Sequence, residues 1–299
     1  MPLSPLSDPP GIWPRFLGNL RAAASLAFLF STLLMFNAAQ TLSLLLRPFS
    51  RRAFRAFNRW GANTWWGWCD ILAEKAYGIR VELTGDELPE AENAVVIVNH
   101  QQMTDITVIF RVARRKRRLG DLKWFVKDII KYFPGVGWGM LFLDCIFIKR
   151  DWLRDEGKIR RTFSRILDHK VPAWIMSFVE GTRLKPSKLA QSQKYAAGHG
   201  LPVLRHLMTP RTKGFAATVQ ALRGHATAVY DFTIGYVGGV PTLLQWAKGY
   251  ARLVHVHARR FPIDDLPANG DELAAWLHAR FEEKDHLLDG YYRDGAFPK

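Results

Sequence analysis

Hydrophobic and polar positions follow one rhythm up to Gly78 and another after it. Between Arg21 and Arg47 no residue is charged, and residues 22–46 are dominated by Ala, Leu and Phe. Crossing a bilayer's hydrocarbon takes roughly 20 apolar residues, so this segment is long enough to span. Ser25, Ser31, Asn37 and Gln40 make it less oily than an ordinary span; the alternative is a dip into one leaflet and back. Residues 50–77 set Phe54, Phe57, Trp60, Trp65, Trp66 and Trp68 among arginines, the mixture expected of an amphipathic helix in the headgroup layer. A soluble helix packed on the core would show a similar pattern. Gly78 ends the helical stretch.

From Ile79 onward short apolar runs alternate with amphipathic ones. Residues 81–84, 94–98, 145–148, 173–179, 226–234 and 253–258 read as strands, with 94–98 apolar throughout and therefore central. Residues 106–113 and 154–168 read as helices, and Leu273, Trp276, Leu277, Phe281, Leu287 and Leu288 approximate helical spacing near the end. This alternation predicts an α/β fold with a mostly parallel or mixed sheet flanked by helices, behind an N-terminal helical membrane anchor. The expected division is a tail (1–21), a membrane-associated helical segment (22–78) and one α/β domain (79–299).

Composition narrows the partners. The net charge of +15 favours anions: nucleic acid, anionic lipid or phosphorylated small molecules. Nucleic-acid binding would interleave aromatic and basic residues on one platform, whereas the tryptophans adjoin the apolar segment, so lipid is favoured and nucleic acid is not expected. A cleaved signal peptide would have an apolar region of only about 7–15 residues. Arg47, Arg51, Arg52, Arg55 and Arg59 outnumber Arg15 and Arg21, which places the domain on the cytoplasmic face. A bacterial inner membrane is favoured, with an internal eukaryotic membrane as the alternative. Cys69 and Cys145 have no partners at metal-ligand spacing.

Candidate chemistry sits where two apolar runs end. In Asn99-His100-Gln101-Gln102-Met103-Thr104-Asp105, one continuous helix would set His100 and Asp105 about 140° apart. They meet only if His100 lies in the turn and Asp105 enters the first helical turn. Such a carboxylate would fix the imidazole tautomer and leave the other nitrogen as a general base. With nine histidines in the chain the spacing alone is weak, and taken by itself it is better explained by a surface histidine near a helix-start aspartate. Glu180-Gly181-Thr182-Arg183 ends the second run and is a rarer coincidence. Gly181 permits close backbone approach, Arg183 can grip a phosphate, and Glu180 can orient that arginine or bond a substrate hydroxyl.

These residues resemble the glycerolipid acyltransferases, with His100 and Asp105 in that family's H-x4-D motif and Glu180–Arg183 in its E-G-T-R motif. Phe147-Ile148-Lys149-Arg150 resembles the second block, and Leu201-Pro202-Val203-Leu204 the fourth. Pro210-Arg211-Thr212-Lys213-Gly214-Phe215 and Glu283-Lys284-Asp285 are similar to the branch containing 1-acylglycerol-3-phosphate and lysocardiolipin acyltransferases. The resemblance covers roughly residues 80–297 and implies acyl transfer from acyl-CoA to a lysophospholipid hydroxyl. It makes His100 the base and Asp105 its partner, with Arg150 and Arg183 at the acceptor phosphate. Glu180, Gly181 and Thr182 would shape that pocket, and Lys127 would lie near the thioester oxygen or a phosphate. Acyl-CoA enters as co-substrate; no cofactor and no metal is expected. 1-Acylglycerol-3-phosphate leads the acceptors, with lysophosphatidylinositol, lysophosphatidylglycerol and lysocardiolipin open, and a lipid hydrolase as the competing activity.

Other features carry less. There is no G-x-S-x-G elbow for a serine acyl-enzyme, which favours direct transfer. Gly135-Val136-Gly137-Trp138-Gly139 lacks the third fingerprint glycine of a dinucleotide site. His255 and His257 would share a strand face with no third ligand. The run Arg114–Arg118 reads as a solvated basic patch available to headgroups or CoA phosphates.

Overall fold

The computed structural model describes residues 4–149 and 152–298. Seven strands form one sheet: β1 (Arg80–Gly85), β2 (Ala94–Val98), β3 (Leu122–Lys127), β4 (Ile146–Ile148), β5 (Trp174–Ser177), β6 (Ala228–Tyr236) and β7 (Leu253–Pro262). Their order is β1-β7-β6-β2-β5-β3-β4. Every pairing is parallel except β6 with β7, so the sheet is mixed, as expected.

The apolar β2 is central and divides the core. Ala94, Val96 and Val98 pack into one cluster with Trp66 of α2 (Arg51–Ile71) and Val108, Phe110 and Val112 of α3 (Thr104–Arg115). Val95 and Ile97 point the other way, into a cluster with Phe163 of α5 (Trp152–Asp168) and Phe215 of α7 (Thr212–Leu222). Leu277 and Phe281 of α9 (Gly270–Asp294) complete that side. Strand side chains alternate faces, so one fully apolar strand supports a helical layer on each side. The parallel strands β2, β5, β3 and β4 present their C-terminal ends along one edge, the usual place for chemistry in such sheets.

The remaining helices are α1 (Ile12–Ser43), α4 (Val136–Leu141), α6 (Pro186–Gly198) and α8 (Leu243–Ala247). α1 starts ten residues before the expected segment, because the 12–21 stretch carries only Arg15 and Arg21 as charges and continues the helix. It folds back on α2 and is inverted relative to a soluble helix. Ser25, Asn37, Gln40 and Ser43 are buried, while Trp13, Phe16, Leu20, Phe30, Met35 and Leu42 are exposed. The polar groups are used inside: Asn37 Oδ1 accepts from Gly135 N at 3.0 Å, and Ser43 Oγ from Asn58 Nδ2 at 3.0 Å. Arg21 donates to the Lys248 carbonyl at 3.1 Å, so both ends of α1 are tied to the α/β domain.

The structure gives the glycine run a reason and changes the reading of the basic run. The Gly135–Gly139 run leads into α4; a Cβ on Gly137 would lie 1.8 Å from the Ile130 carbonyl oxygen, so close packing requires that glycine. The basic run at 114–118 is largely committed rather than solvated. Arg114 pairs with Asp70 and Glu74, and Arg118 with Asp121, because the carboxylates of neighbouring elements converge there.

Candidate active site

β2 ends at Val98, and Asn99 holds the following turn against β6. Its side-chain oxygen accepts from Ile234 N at 2.8 Å, and its amide donates to the Ile234 carbonyl at 3.0 Å. α3 begins at Thr104, so His100 stands in the turn and Asp105 in the first helical turn, where the helix dipole favours a carboxylate. His100 Nδ1 lies 2.9 Å from Asp105 Oδ2. The same oxygen accepts from Gln101 N at 2.7 Å and Gln102 N at 2.9 Å. Oδ1 accepts from the Tyr236 hydroxyl at 2.6 Å, and burial beside Asp105 raises the pKa of that phenol well above its ordinary value, keeping it a donor. Asp105 is fully buried, so four donors replace its lost water. A carboxylate only accepts; Nδ1 therefore carries the proton, and Nε2 is left with a free lone pair. The ring is also fixed by stacking on Phe178, with centroids 3.8 Å apart.

β5 ends at Ser177, and the chain turns through Glu180–Arg183 beside this histidine. Glu180 Oε1 accepts from His100 N at 2.7 Å, and Oε2 accepts from Met208 N at 3.0 Å. Leu184 N donates to the His100 carbonyl at 2.8 Å. Burial pushes the Glu180 carboxyl up to about 7, against the pull of those two backbone donors. Arg183 Nη1 donates to Gln102 Oε1 at 2.9 Å, linking the turn to the His100 loop. Gly181 has φ of +75°, and a Cβ there would meet the Arg211 side chain at 2.5 Å. Two segments some 80 residues apart in sequence thus converge.

Lys127 closes β3 at the same sheet edge, one strand beyond β5, and is exposed. No hydrogen bond or ion pair among the described residues joins it to the His100 cluster. Thr182 is half-buried in the turn. Arg150 lies outside the described residues. His255 and His257 meet Tyr291 and Thr84, at 3.2 and 3.0 Å, and no group of three or more metal-ligating side chains occurs among the described residues.

Residues 80–237 match the profile of the family described as Acyltransferase, and residues 248–299 that described as Acyltransferase C-terminus. The chain belongs to the acyltransferase family. It is 34% identical over 278 residues to human 1-acyl-sn-glycerol-3-phosphate acyltransferase gamma, covering 89% of this chain and 72% of that one. It is 35% identical over 260 residues to 1-acyl-sn-glycerol-3-phosphate acyltransferase 2 of Brassica oleracea, covering 85% of this chain and 66% of that relative's length. The crystal structure of the 1-acyl-sn-glycerophosphate (LPA) acyltransferase of Thermotoga maritima shares the fold, with a TM-score of 0.54 at 16% identity over 94% of this chain and 98% of that one.

Within this acyltransferase fold Glu180 joins two loops. Each of its oxygens accepts from a backbone N–H group, and it is 4% exposed. Gln102, not Glu180, orients Arg183. Tyr236, Asn99, Phe178 and Gln102 are functional neighbours that sequence reasoning did not single out for these roles. Tyr236 stands 131 positions from Asp105; the 231–236 stretch resembles the same branch of the family, but that resemblance gives the phenol no role.

Proposed function

We propose that this chain transfers a fatty acyl group from acyl-CoA to the hydroxyl of a lysophospholipid, with 1-acyl-sn-glycerol-3-phosphate as acceptor and phosphatidic acid as product. The observation that carries the reading is the His100–Asp105 pair, whose geometry leaves Nε2 as a base one hydrogen-bonded glutamine away from Arg183. Nε2 takes the hydroxyl proton as the oxygen attacks the thioester carbonyl. The carbon–sulfur bond then breaks, and the CoA thiolate recovers the proton from the imidazolium. General-base assistance of this kind contributes on the order of 10²–10⁴ in rate. Positioning by the two clamped loops supplies a further share.

Arg183 and Arg150 bind the acceptor phosphate in this scheme, Gly181 and Thr182 shape the pocket, and Lys127 reaches the thioester oxygen or a phosphate. Glu180 acts through the loops it holds. A cysteine acyl-enzyme is disfavoured: burial pushes the Cys145 thiol up to about 11, and Cys69 lies in α2, away from the strand ends. Lysophospholipids are the acceptors named in the relatives' activities, which supports this class over water.

The exposed apolar face of α1 supports a membrane location, with the arginine-rich side cytoplasmic. α1 is long and apolar enough to cross a bilayer. Its attachment to the domain at both ends supports the one-leaflet alternative over a perpendicular span, which would draw the domain into hydrocarbon.

Purified protein given labelled acyl-CoA and lysophosphatidic acid, lysophosphatidylinositol, lysophosphatidylglycerol or monolysocardiolipin tests the reading. Diacyl product, formed fastest from lysophosphatidic acid, is expected. A faster rate with another headgroup moves the acceptor assignment. Release of free fatty acid without diacyl product would replace transfer by hydrolysis.

A further inference from the structure

Arg211 is absent from the four motif blocks, yet its side chain occupies the space that a Cβ on Gly181 would need. The ideal Cβ position lies 2.5 Å from Nε, 2.9 Å from Cζ and 3.0 Å from Cδ of Arg211. The guanidinium therefore rests directly on the backbone of the strand-end turn that carries Arg183. Its main chain is fixed there as well, with Arg211 N donating to the Val179 carbonyl at 2.8 Å. Val179 and Gly181 flank Glu180, so Arg211 is anchored on both sides of the clamp that holds His100.

The side chain is exposed, and it is the N-cap residue of α7, whose first turn contains no acidic residue. Among the described residues no carboxylate lies within ion-pairing distance of either Arg211 or Arg183. The arginines at 59, 111, 114, 118, 259 and 260, by contrast, each have a carboxylate partner. Arg183 is held by a neutral amide and Arg211 by the bare face of a glycine. A guanidinium fork that is pre-oriented but left without an anion suits a phosphate oxygen pair. Two such forks carry two positive charges, matching the charge of a phosphate monoester near neutral pH.

We propose that Arg211 is a second guanidinium of the acceptor site, binding the terminal phosphate of the lysophospholipid together with Arg183, and that Gly181 is glycine to make room for it. This rests on the acyl-transfer reading with Arg183 at the acceptor phosphate. Under that assignment the two arginines distinguish a dianionic monoester from a phosphate already esterified to a second alcohol, which has one charge and fewer free oxygens.

The test is steady-state kinetics of Arg211→Gln and Arg211→Lys in the full chain, reconstituted in neutral vesicles. Acyl-CoA is the donor and lysophosphatidic acid the varied acceptor. Substitution leaves the backbone bond to Val179 intact, and a thermal melt checks folding for each variant. For Arg211→Gln the acceptor KM is expected to rise at least tenfold, with kcat and the acyl-CoA KM moving less than about threefold. Arg211→Lys should fall between Gln and the parent, and added guanidinium ion should recover part of the Gln variant's loss. An unchanged acceptor KM, or a rise confined to acyl-CoA, overturns the proposal. Arg183→Ala run alongside separates the two levels. If its acceptor KM rises while that of Arg211→Gln does not, only the role of Arg211 falls; if neither moves, the phosphate-site reading falls with it. Should both variants at 211 fail to fold, modification of arginines in the parent chain by phenylglyoxal provides the second measurement. Lysophosphatidic acid should protect Arg211 from modification, and an Arg211 modified equally with and without it overturns the proposal.

Discussion

Two neighbouring corners of the sheet edge are built in opposite ways. Around Asp105 four donors converge, an imidazole and two backbone N–H groups on Oδ2 and a phenol on Oδ1, and the carboxylate is sealed from water. At Arg183, bonded to Gln102 of the His100 loop, and at Arg211 on Gly181, the charged groups are steadied by uncharged neighbours and keep their charge unspent. The first corner needs a single tautomer held in a single orientation, which saturation provides. In the proposed scheme the second exchanges water for a ligand's charge at each turnover, and a resident carboxylate would compete with that ligand. Under that proposal, proton handling and headgroup recognition call for different degrees of internal satisfaction.

The largest test of this contrast is His100→Ala. Loss of the base should lower kcat by about 10²–10⁴ while the protein stays folded and membrane-bound. Residual activity within tenfold of the parent would remove the imidazole from the mechanism. Next in size is Arg183→Ala. Losing a charge-assisted contact of about 1.5–3 kcal/mol should lower kcat/KM for lysophosphatidic acid roughly 10- to 150-fold, mainly through KM. If kcat fell instead with KM unchanged, the two corners would not divide their labour as described.

A smaller effect is expected at Tyr236→Phe, which takes one donor from Asp105 Oδ1 and a partner from Thr104. The loss of about 1 kcal/mol should appear as a roughly fivefold fall in kcat with both KM values kept. A rise in acceptor KM would show that Tyr236 belongs to recognition rather than to the saturated corner.

The sequence pattern reveals the saturated corner better than the open one. The apolar 94–98 run, the turn after it and the five-residue spacing are local, so His100 and Asp105 could be placed at a strand-to-helix junction before any coordinates. Glu180 was visible as part of a motif, but its partners, His100 N and Met208 N, are backbone groups that no residue type advertises. The packing of Arg211 on Gly181 depends on how the 201–211 loop returns to β5, a tertiary fact. β3 escaped the reading because Lys123 breaks its apolar run. The structure buries that lysine, and desolvation lowers its pKa from the ordinary value. The inverted face of α1 was hidden for a related reason. Its scattered Ser, Asn and Gln look like blemishes in an apolar segment until α2 and α4 are seen to cover them.

The last test reads stability instead of rate and concerns the link between the corners. Burial raises Glu180 from 4.5 to about 7, so across that window the native chain keeps a proton that the unfolded chain has already released. Proton uptake is then greater in the folded state, and stability must fall as pH rises through the window, with the full penalty present above it. The contribution of one such group cannot exceed ~1.4 kcal/mol per pH unit. Glu180→Gln removes the titration, at the cost of turning an amide donor toward one of the two backbone N–H groups. The variant should therefore be less stable than the parent at low pH but lose less on going from pH 5 to 7. Unfolding midpoints across that range decide the matter: parallel pH profiles for parent and variant would mean that Glu180 is already ionised in the fold. The clamp would then be as saturated in charge as Asp105, and the two corners would differ less than their hydrogen bonds imply.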